Sequence, residues 1–213
     1  MKTKQCQVLV VGAGPGGYVA AIRSAQLGLK TIIVEGERAG GTCLIRGCIP
    51  SKALIHAAHT FHNLAKHTAK DGHMGITIPG PAELEMSNLV GWKEGIVDRL
   101  NKGVEALLKN AGAELVTGWA VFQDAKTVKI GEGKDATLIQ ADHVIMAQGS
   151  LPVELPFMPF SEHVLSSREA LSLEDLPDHI VVVGGGYIGL ELGITYRMLG
   201  SEAVSYTHLR AHE

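Results

Sequence analysis

One feature constrains this chain more than any other. A run of β-branched residues and leucine at positions 8–11 breaks directly into Gly12-Ala13-Gly14-Pro15-Gly16-Gly17. An unbroken apolar run of that length reads as a strand buried on both faces, as parallel strands are. Gly12 permits a sharp exit from the strand. Gly14 removes a side chain where an anionic ligand needs backbone, and Gly17 lets a helix lie close to the sheet. Residues 18–27 carry a helical pattern ended by Gly28, and residues 31–34 form a second apolar strand closed by Glu35. Strand, helix and strand make a βαβ unit. The start of such a helix offers free N–H groups and partial positive charge to phosphates. A carboxylate at the end of the second strand accepts ribose hydroxyls. The same pattern begins again later: residues 180–183 run into Gly184-Gly185-Gly186-Tyr187-Ile188-Gly189, and a helical pattern extends to Leu199 and Gly200.

Between these turns, a Gly-rich stretch at 40–42 leads to Cys43, and a helix is predicted from about Cys48 through the His-rich stretch 56–67. Residues 68–86 read as loop with a short strand at 76–78. Ser87 or Asn88 is expected to cap a helix over 89–110, with Ile96, Leu100, Val104, Leu107 and Leu108 as its apolar positions. Short strands near 114–122, 126–130 and 136–140 predict an antiparallel meander. Residues 144–147 predict another buried strand, ending at Gly149-Ser150. Four prolines, at 152, 156, 159 and 177, mark 151–178 as a connection. The expected fold class is therefore α/β, with one Rossmann-like unit over 1–150, a connection over 151–178, and the start of a second unit over 179–203.

Composition narrows the function. With 46% hydrophobic and 19% charged residues, the chain of 213 residues is neither disordered nor fibrous. A net charge of -3 argues against nucleic acid as a partner. No apolar run approaches the roughly 20 residues needed to cross a bilayer, so no membrane association is expected. The apolar run at 8–11 is too short for a signal peptide, and the expected setting is cytoplasmic. Three cysteines do not make a secreted disulfide framework. The residues alone leave three readings of Cys43 and Cys48. They are a redox disulfide at a helix start, where a thiol pKa is lowered; two buried, unreactive thiols; or half of a zinc site completed by His56, His59 and His62.

The segment Gly40-Gly41-Thr42-Cys43-Leu44-Ile45-Arg46-Gly47-Cys48-Ile49-Pro50-Ser51-Lys52-Ala53-Leu54 resembles the signature of the pyridine nucleotide–disulfide oxidoreductases. Within that family it most resembles the dihydrolipoamide dehydrogenase type. The resemblance extends through the first Gly-rich turn, residues 143–150, the Pro-rich connection and residues 182–193, up to about Glu202. It implies a Rossmann-like FAD-binding domain with an antiparallel β-meander insertion, lacking its C-terminal FAD segment, followed by a truncated NAD-binding domain. Gly12, Gly14 and Gly17 would bind FAD, with Glu35 on the ribose and Gly41 and Thr42 near the pyrophosphate. Ala120 would give a backbone contact to adenine, and Gly149 and Ser150 further flavin contacts. Cys48 would face the flavin and Cys43 would exchange with substrate. Lys52 would sit near the flavin and pair with Glu191. Gly184, Gly186 and Gly189 would hold the NAD pyrophosphate, with Tyr187 or Ile188 where the nicotinamide enters.

The activity so implied is oxidation of dihydrolipoamide, carried on the lipoyl domain of a 2-oxo acid dehydrogenase complex. It would run through a Cys43–Cys48 disulfide and FAD to NAD, in a homodimeric parent protein. The alternatives are a mercuric or glutathione reductase-like flavoprotein and a non-catalytic FAD- or nucleotide-binding module. Three departures from the family pattern stand out: Gln148 in place of a small threonine, Arg168 in place of a small or polar residue, and the stretch after Gly200. There Thr207 occupies the place that Glu35 holds in the first unit, and the residues from 203 on read as too polar for a buried parallel strand. The expectation is a non-native tail over 204–213, in which His208 and His212 match no family motif, and a fragment without turnover.

Overall fold

The buried run at 8–11 becomes the C-terminal end of a long central strand. The computed structural model describes residues 2–68, 73–74 and 76–207. In chain order the elements are β1 (Lys2–Val11), α1 (Pro15–Gln26), β2 (Thr31–Glu35), α2 (Gly41–Arg46), α3 (Cys48–His67), α4 (Met86–Ala111), β3 (Glu114–Thr117), β4 (Ala120–Phe122), β5 (Thr127–Ile130), β6 (Thr137–Met146), α5 (Ser167–Ala170), β7 (His179–Val183), α6 (Tyr187–Leu199) and β8 (Glu202–Tyr206). They divide into two compact units, residues 1–45 with 97–152 and residues 46–96 with 153–213.

The first unit is built on one six-stranded sheet of order β3-β2-β1-β6-β5-β4. β1 pairs in parallel with both β2 and β6, and β2 pairs in parallel with β3. β4, β5 and β6 form the antiparallel meander. Flanked on both sides, β1 buries both faces. Leu9 and Val11 join Ile32, Val34, Val128 and Ile139 in one cluster, while Val8 and Val10 join Ala21, Ile33, Val104 and Leu108 in the other. Two expectations change here. Residues 114–117 belong to the parallel part of the sheet, not to the meander, because β3 docks beside β2 from Ile32 to Glu35. The strands expected at 136–140 and 144–147 are one continuous strand, β6.

The second unit packs α3 against α6. Leu54 of α3 and Leu192 of α6 meet Ala170 and Leu171, and Ala58 meets Tyr196 and Leu199. The Tyr196 hydroxyl donates to the Ala170 carbonyl from a fully buried position. α5 is fixed at its start by a capping box: Ser166 accepts from the Arg168 amide, and Glu169 accepts from the Ser166 amide. The Ser166 hydroxyl bond holds the Glu169 carboxyl below its usual range. Arg168 thus sits at an ordinary helix start. β7 and β8 form a two-stranded parallel sheet in register from His179 with Glu202 to Val183 with Tyr206. The polar stretch after Gly200 pairs as a strand, but not as the buried strand its polarity argued against. It tolerates its polarity because it is not buried: Val204 and Tyr206 are both more than half exposed. Residues 208–213, with His208 and His212, lie outside the described residues.

α4 also departs from its expected form. It begins at Met86, so Ser87 and Asn88 stand inside its first turn, where their side chains donate to the Glu85 carboxylate. Its buried residues include Val90, Lys93, Val97, Asn101, Val104 and Leu108, whereas Leu100 and Leu107 are exposed. The strand expected at 76–78 is an isolated bridge between His73 and Ile76. Among the described residues, no helix is long and apolar enough to cross a membrane.

Candidate functional site

The first Gly-rich turn is packed backbone against backbone. Gly12 has φ +98°, and a Cβ there would stand 2.2 Å from the Ala147 carbonyl oxygen. A Cβ on Gly17 would stand 1.8 Å from the Gly12 carbonyl oxygen. The turn before α2 closes on the same place: a Cβ on Gly41, at φ +65°, would meet the Gly14 Cα at 2.4 Å. Gly14 is the N-cap of α1, with no side-chain cap and no acidic residue in the first turn. The helix start therefore keeps amide groups that no side chain satisfies. Glu35 completes the arrangement. Its carboxylate accepts from the Ala13 amide at 2.7 Å and from the Glu37 amide at 3.0 Å. The end of β2 is thereby tied to the turn after β1. Bare backbone, a positive helix end and a fixed carboxylate suit the pyrophosphate and ribose of a dinucleotide.

The other residues expected on this unit lie at the ends of its strands or in the loops that follow them. Thr42 is exposed on the first turn of α2, Ala120 opens β4, and Gly149, at φ +74°, follows β6 with Ser150. Gln148 is exposed, and its Cα would be 3.0 Å from a Cβ on Gly12. Two features escaped the sequence reading. One is the Ala13 amide as partner of Glu35. The other is Trp119, whose indole lies over Gly36. An aromatic residue directly after a glycine at a strand end is the signal that could have pointed to it.

Cys43 and Cys48 are disulfide-bonded, and Cys6 is the free cysteine. The bond closes α2 onto the first residue of α3. It also commits both sulfurs, which removes them from zinc ligation. Among the described residues no cluster of three or more His, Cys, Asp or Glu is placed to hold a metal. His56 and His59 are exposed on α3, which makes them part of a solvated face.

In the second unit, one turn of α3 beyond Cys48, Lys52 Nζ reaches both Glu191 carboxylate oxygens, at 2.7 and 2.6 Å. Both side chains are partly open to solvent, so the pair contributes little stability. Its effect is to fix where a positive charge stands. Gly184, at φ +108°, follows β7, Gly186 caps the start of α6, and Gly189 packs on Val182. Tyr187, first in α6, is exposed.

A mostly parallel α/β sheet with a stripped Gly-rich turn, together with a disulfide at the start of a helix, defines a dinucleotide-binding disulfide protein as the class. The model of the pyridine nucleotide-disulphide oxidoreductase family matches residues 6–212, and the chain belongs to that family. It is 52% identical over 196 residues to a dihydrolipoyl dehydrogenase of Pseudomonas aeruginosa, covering 92% of this chain and 42% of that protein. A dihydrolipoyl dehydrogenase of Geobacillus stearothermophilus is 48% identical over 198 residues, covering 93% and 41%. The chain thus spans less than half the length of these curated relatives. Among solved structures, an HOCl-induced flavoprotein disulfide reductase of Escherichia coli, crystallised as a mutant with Cu(II), has a TM-score of 0.81 at 22% identity, covering 97% of this chain and 43% of that one. LpdA of Mycobacterium tuberculosis has a TM-score of 0.79 at 24% identity, covering 93% and 44%. At that identity the likeness concerns the fold.

Proposed function

We propose that the chain belongs to an FAD-dependent dithiol:NAD oxidoreductase of the dihydrolipoamide dehydrogenase type. The observation that carries this is the Cys43–Cys48 disulfide at the start of α3 in a chain about half identical to such enzymes. In this reading residues 1–150 form the FAD-binding domain, 151–178 the connection and 179–203 the start of an NAD-binding domain. The residues present fit FAD. Gly12, Gly14, Gly17 and Gly41 offer backbone to its pyrophosphate, Glu35 its carboxylate to the ribose, and Thr42, Ala120, Gly149 and Ser150 further contacts. When bound, FAD supplies two-electron transfer between a thiol pair and a nicotinamide.

The chain's own part is thiol exchange. A thiolate of dihydrolipoamide attacks Cys43 Sγ, forming a mixed disulfide and releasing Cys48 as thiolate. The second substrate thiol, once deprotonated, displaces Cys43 and closes the lipoamide disulfide. Two electrons have then passed to the cysteine pair, and the substrate protons to the surrounding groups and solvent. Lys52, held by Glu191, supplies a fixed positive charge beside the negative charge that reduction creates. Gly184, Gly186 and Gly189 bind the pyrophosphate of NAD, and Tyr187 covers the nicotinamide position. The proposal extends to a lipoyl carrier domain of a 2-oxo acid dehydrogenase complex as partner, a homodimeric parent and a cytoplasmic setting.

Reductive titration tests this reading. The FAD-loaded chain, reduced with a dithiol, is expected to develop a long-wavelength charge-transfer band that Cys48→Ser abolishes and Cys43→Ser leaves intact or strengthens. Nucleotide binding without that band sinks the oxidoreductase reading. In an NADH-dependent lipoamide assay, turnover is expected from the longer parent protein and not from this chain.

A further inference from the structure

We propose that the open face of Trp119 is the stacking platform for the adenine base of a dinucleotide held at the first Gly-rich turn. This deepens the nucleotide-binding reading above and rests on it. The placement of the indole carries the argument. A Cβ on Gly36 would stand 2.7 Å from Trp119 Cδ2, 2.8 Å from Cε2 and 3.0 Å from Cε3. Cδ2 is a ring-fusion carbon bonded in plane to three neighbours, so a close approach to it comes through a face of the ring. One face of the indole therefore lies on Gly36. The residue is nonetheless 69% exposed, which leaves the opposite face to solvent. Trp119 belongs to neither core cluster of its unit. Packing gives no reason for a large aromatic here, and one seated face with one open face is the form of a base platform.

Its neighbours say which base. The Gly118 amide donates to the Glu35 backbone carbonyl at 2.8 Å, so Trp119 follows directly on a residue bound to the backbone of Glu35, whose carboxylate is read as the ribose contact. β2 ends at Glu35 and β3 at Thr117, and ligands of open α/β sheets bind beyond the carboxyl ends of strands. A nucleoside whose ribose meets Glu35 has its base within reach of the residue following Gly118. The seat also accounts for Gly36. That glycine has no left-handed backbone to explain it, and any side chain there lifts the indole away.

The test uses the 213-residue chain, with affinities for ADP and UDP measured by calorimetry and folding checked by circular dichroism. In a Trp92→Phe background, ADP is expected to quench the remaining tryptophan fluorescence. Trp119→Ala should weaken ADP about tenfold and UDP less, since purines stack over more area, so the ADP preference falls. Gly36→Ala, with the indole retained but unseated, should reproduce the loss, and Trp119→Phe should restore most of it. Unchanged ADP affinity in Trp119→Ala overturns the platform while leaving the nucleotide site standing. Equal losses for ADP and UDP, or an unchanged Gly36→Ala, also overturn it. A folded wild-type chain that binds no ADP removes the underlying reading and the platform together.

Discussion

The two Gly-rich turns share a sequence pattern and differ in what their glycines touch. In the first, the closest obstacles to a Cβ at Gly12 and Gly17 are carbonyl oxygens of the backbone. In the second, nothing lies within 4 Å of a Cβ at Gly184 or Gly186, and Gly189 meets only the Val182 side chain at 2.6 Å. The cause is topological. β1 lies between β2 and β6, and the Ala147 backbone at the end of β6 closes over Gly12. β7 has β8 as its partner strand. The lesson is that one motif can carry two different steric demands. In the first turn glycine is needed for the fold to close, whereas at Gly184 and Gly186 a Cβ would meet no atom within 4 Å.

Substitutions break or sharpen that contrast. Gly17→Ala should have the largest effect, a loss of about 3 kcal/mol or more, because a carbonyl 1.8 Å away has no rotamer to escape into. Its urea midpoint should collapse or the protein should fail to accumulate. Gly189→Ala, against a valine side chain that can turn, should cost about 1 kcal/mol. Gly186→Ala should stay within about 0.5 kcal/mol in stability, although dinucleotide affinity should drop. Equal losses for Gly17→Ala and Gly186→Ala would end the distinction.

Tyr196 offers a smaller, pH-dependent handle on the second unit. Burial pushes its phenol up to about 12 from the usual 10. The folded state favours the neutral hydroxyl, so this contribution is whole below pH 10 and fades as pH rises toward 12. Tyr196→Phe should lose about 1 kcal/mol at neutral pH, leaving the Ala170 carbonyl without its donor. It should also flatten the fall in thermal midpoint over that alkaline window.

Much of the first unit was legible because its apolar residues form uninterrupted runs and its glycines have steric reasons. α4 was misread because polar residues occupy its buried stripe. Lys93 is buried since its ammonium donates to the Leu171 carbonyl at 2.7 Å and pairs with Glu94. Asn101 is buried since it donates to the Ala39 carbonyl at 2.6 Å. A pattern rule that equates buried with apolar shifts the face toward Leu100 and Leu107. The parallel pairing of β3 was hidden for another reason: the register from Ile32 to Glu114 joins distant parts of the chain, and no short window contains it. β8 is the converse case: its polarity argued only against a buried strand, and it pairs as a strand that stays wet. The disulfide was one of three readings until the bond itself decided among them.

The third cysteine has a practical consequence. Cys6 is buried on β1, and desolvation raises its thiol above the ordinary value, so it resists alkylation for as long as the sheet holds. Mild reduction followed by a maleimide should then register two thiols quickly and a third only in denaturant. The native chain carries an internal standard for counting how many electrons its disulfide has accepted.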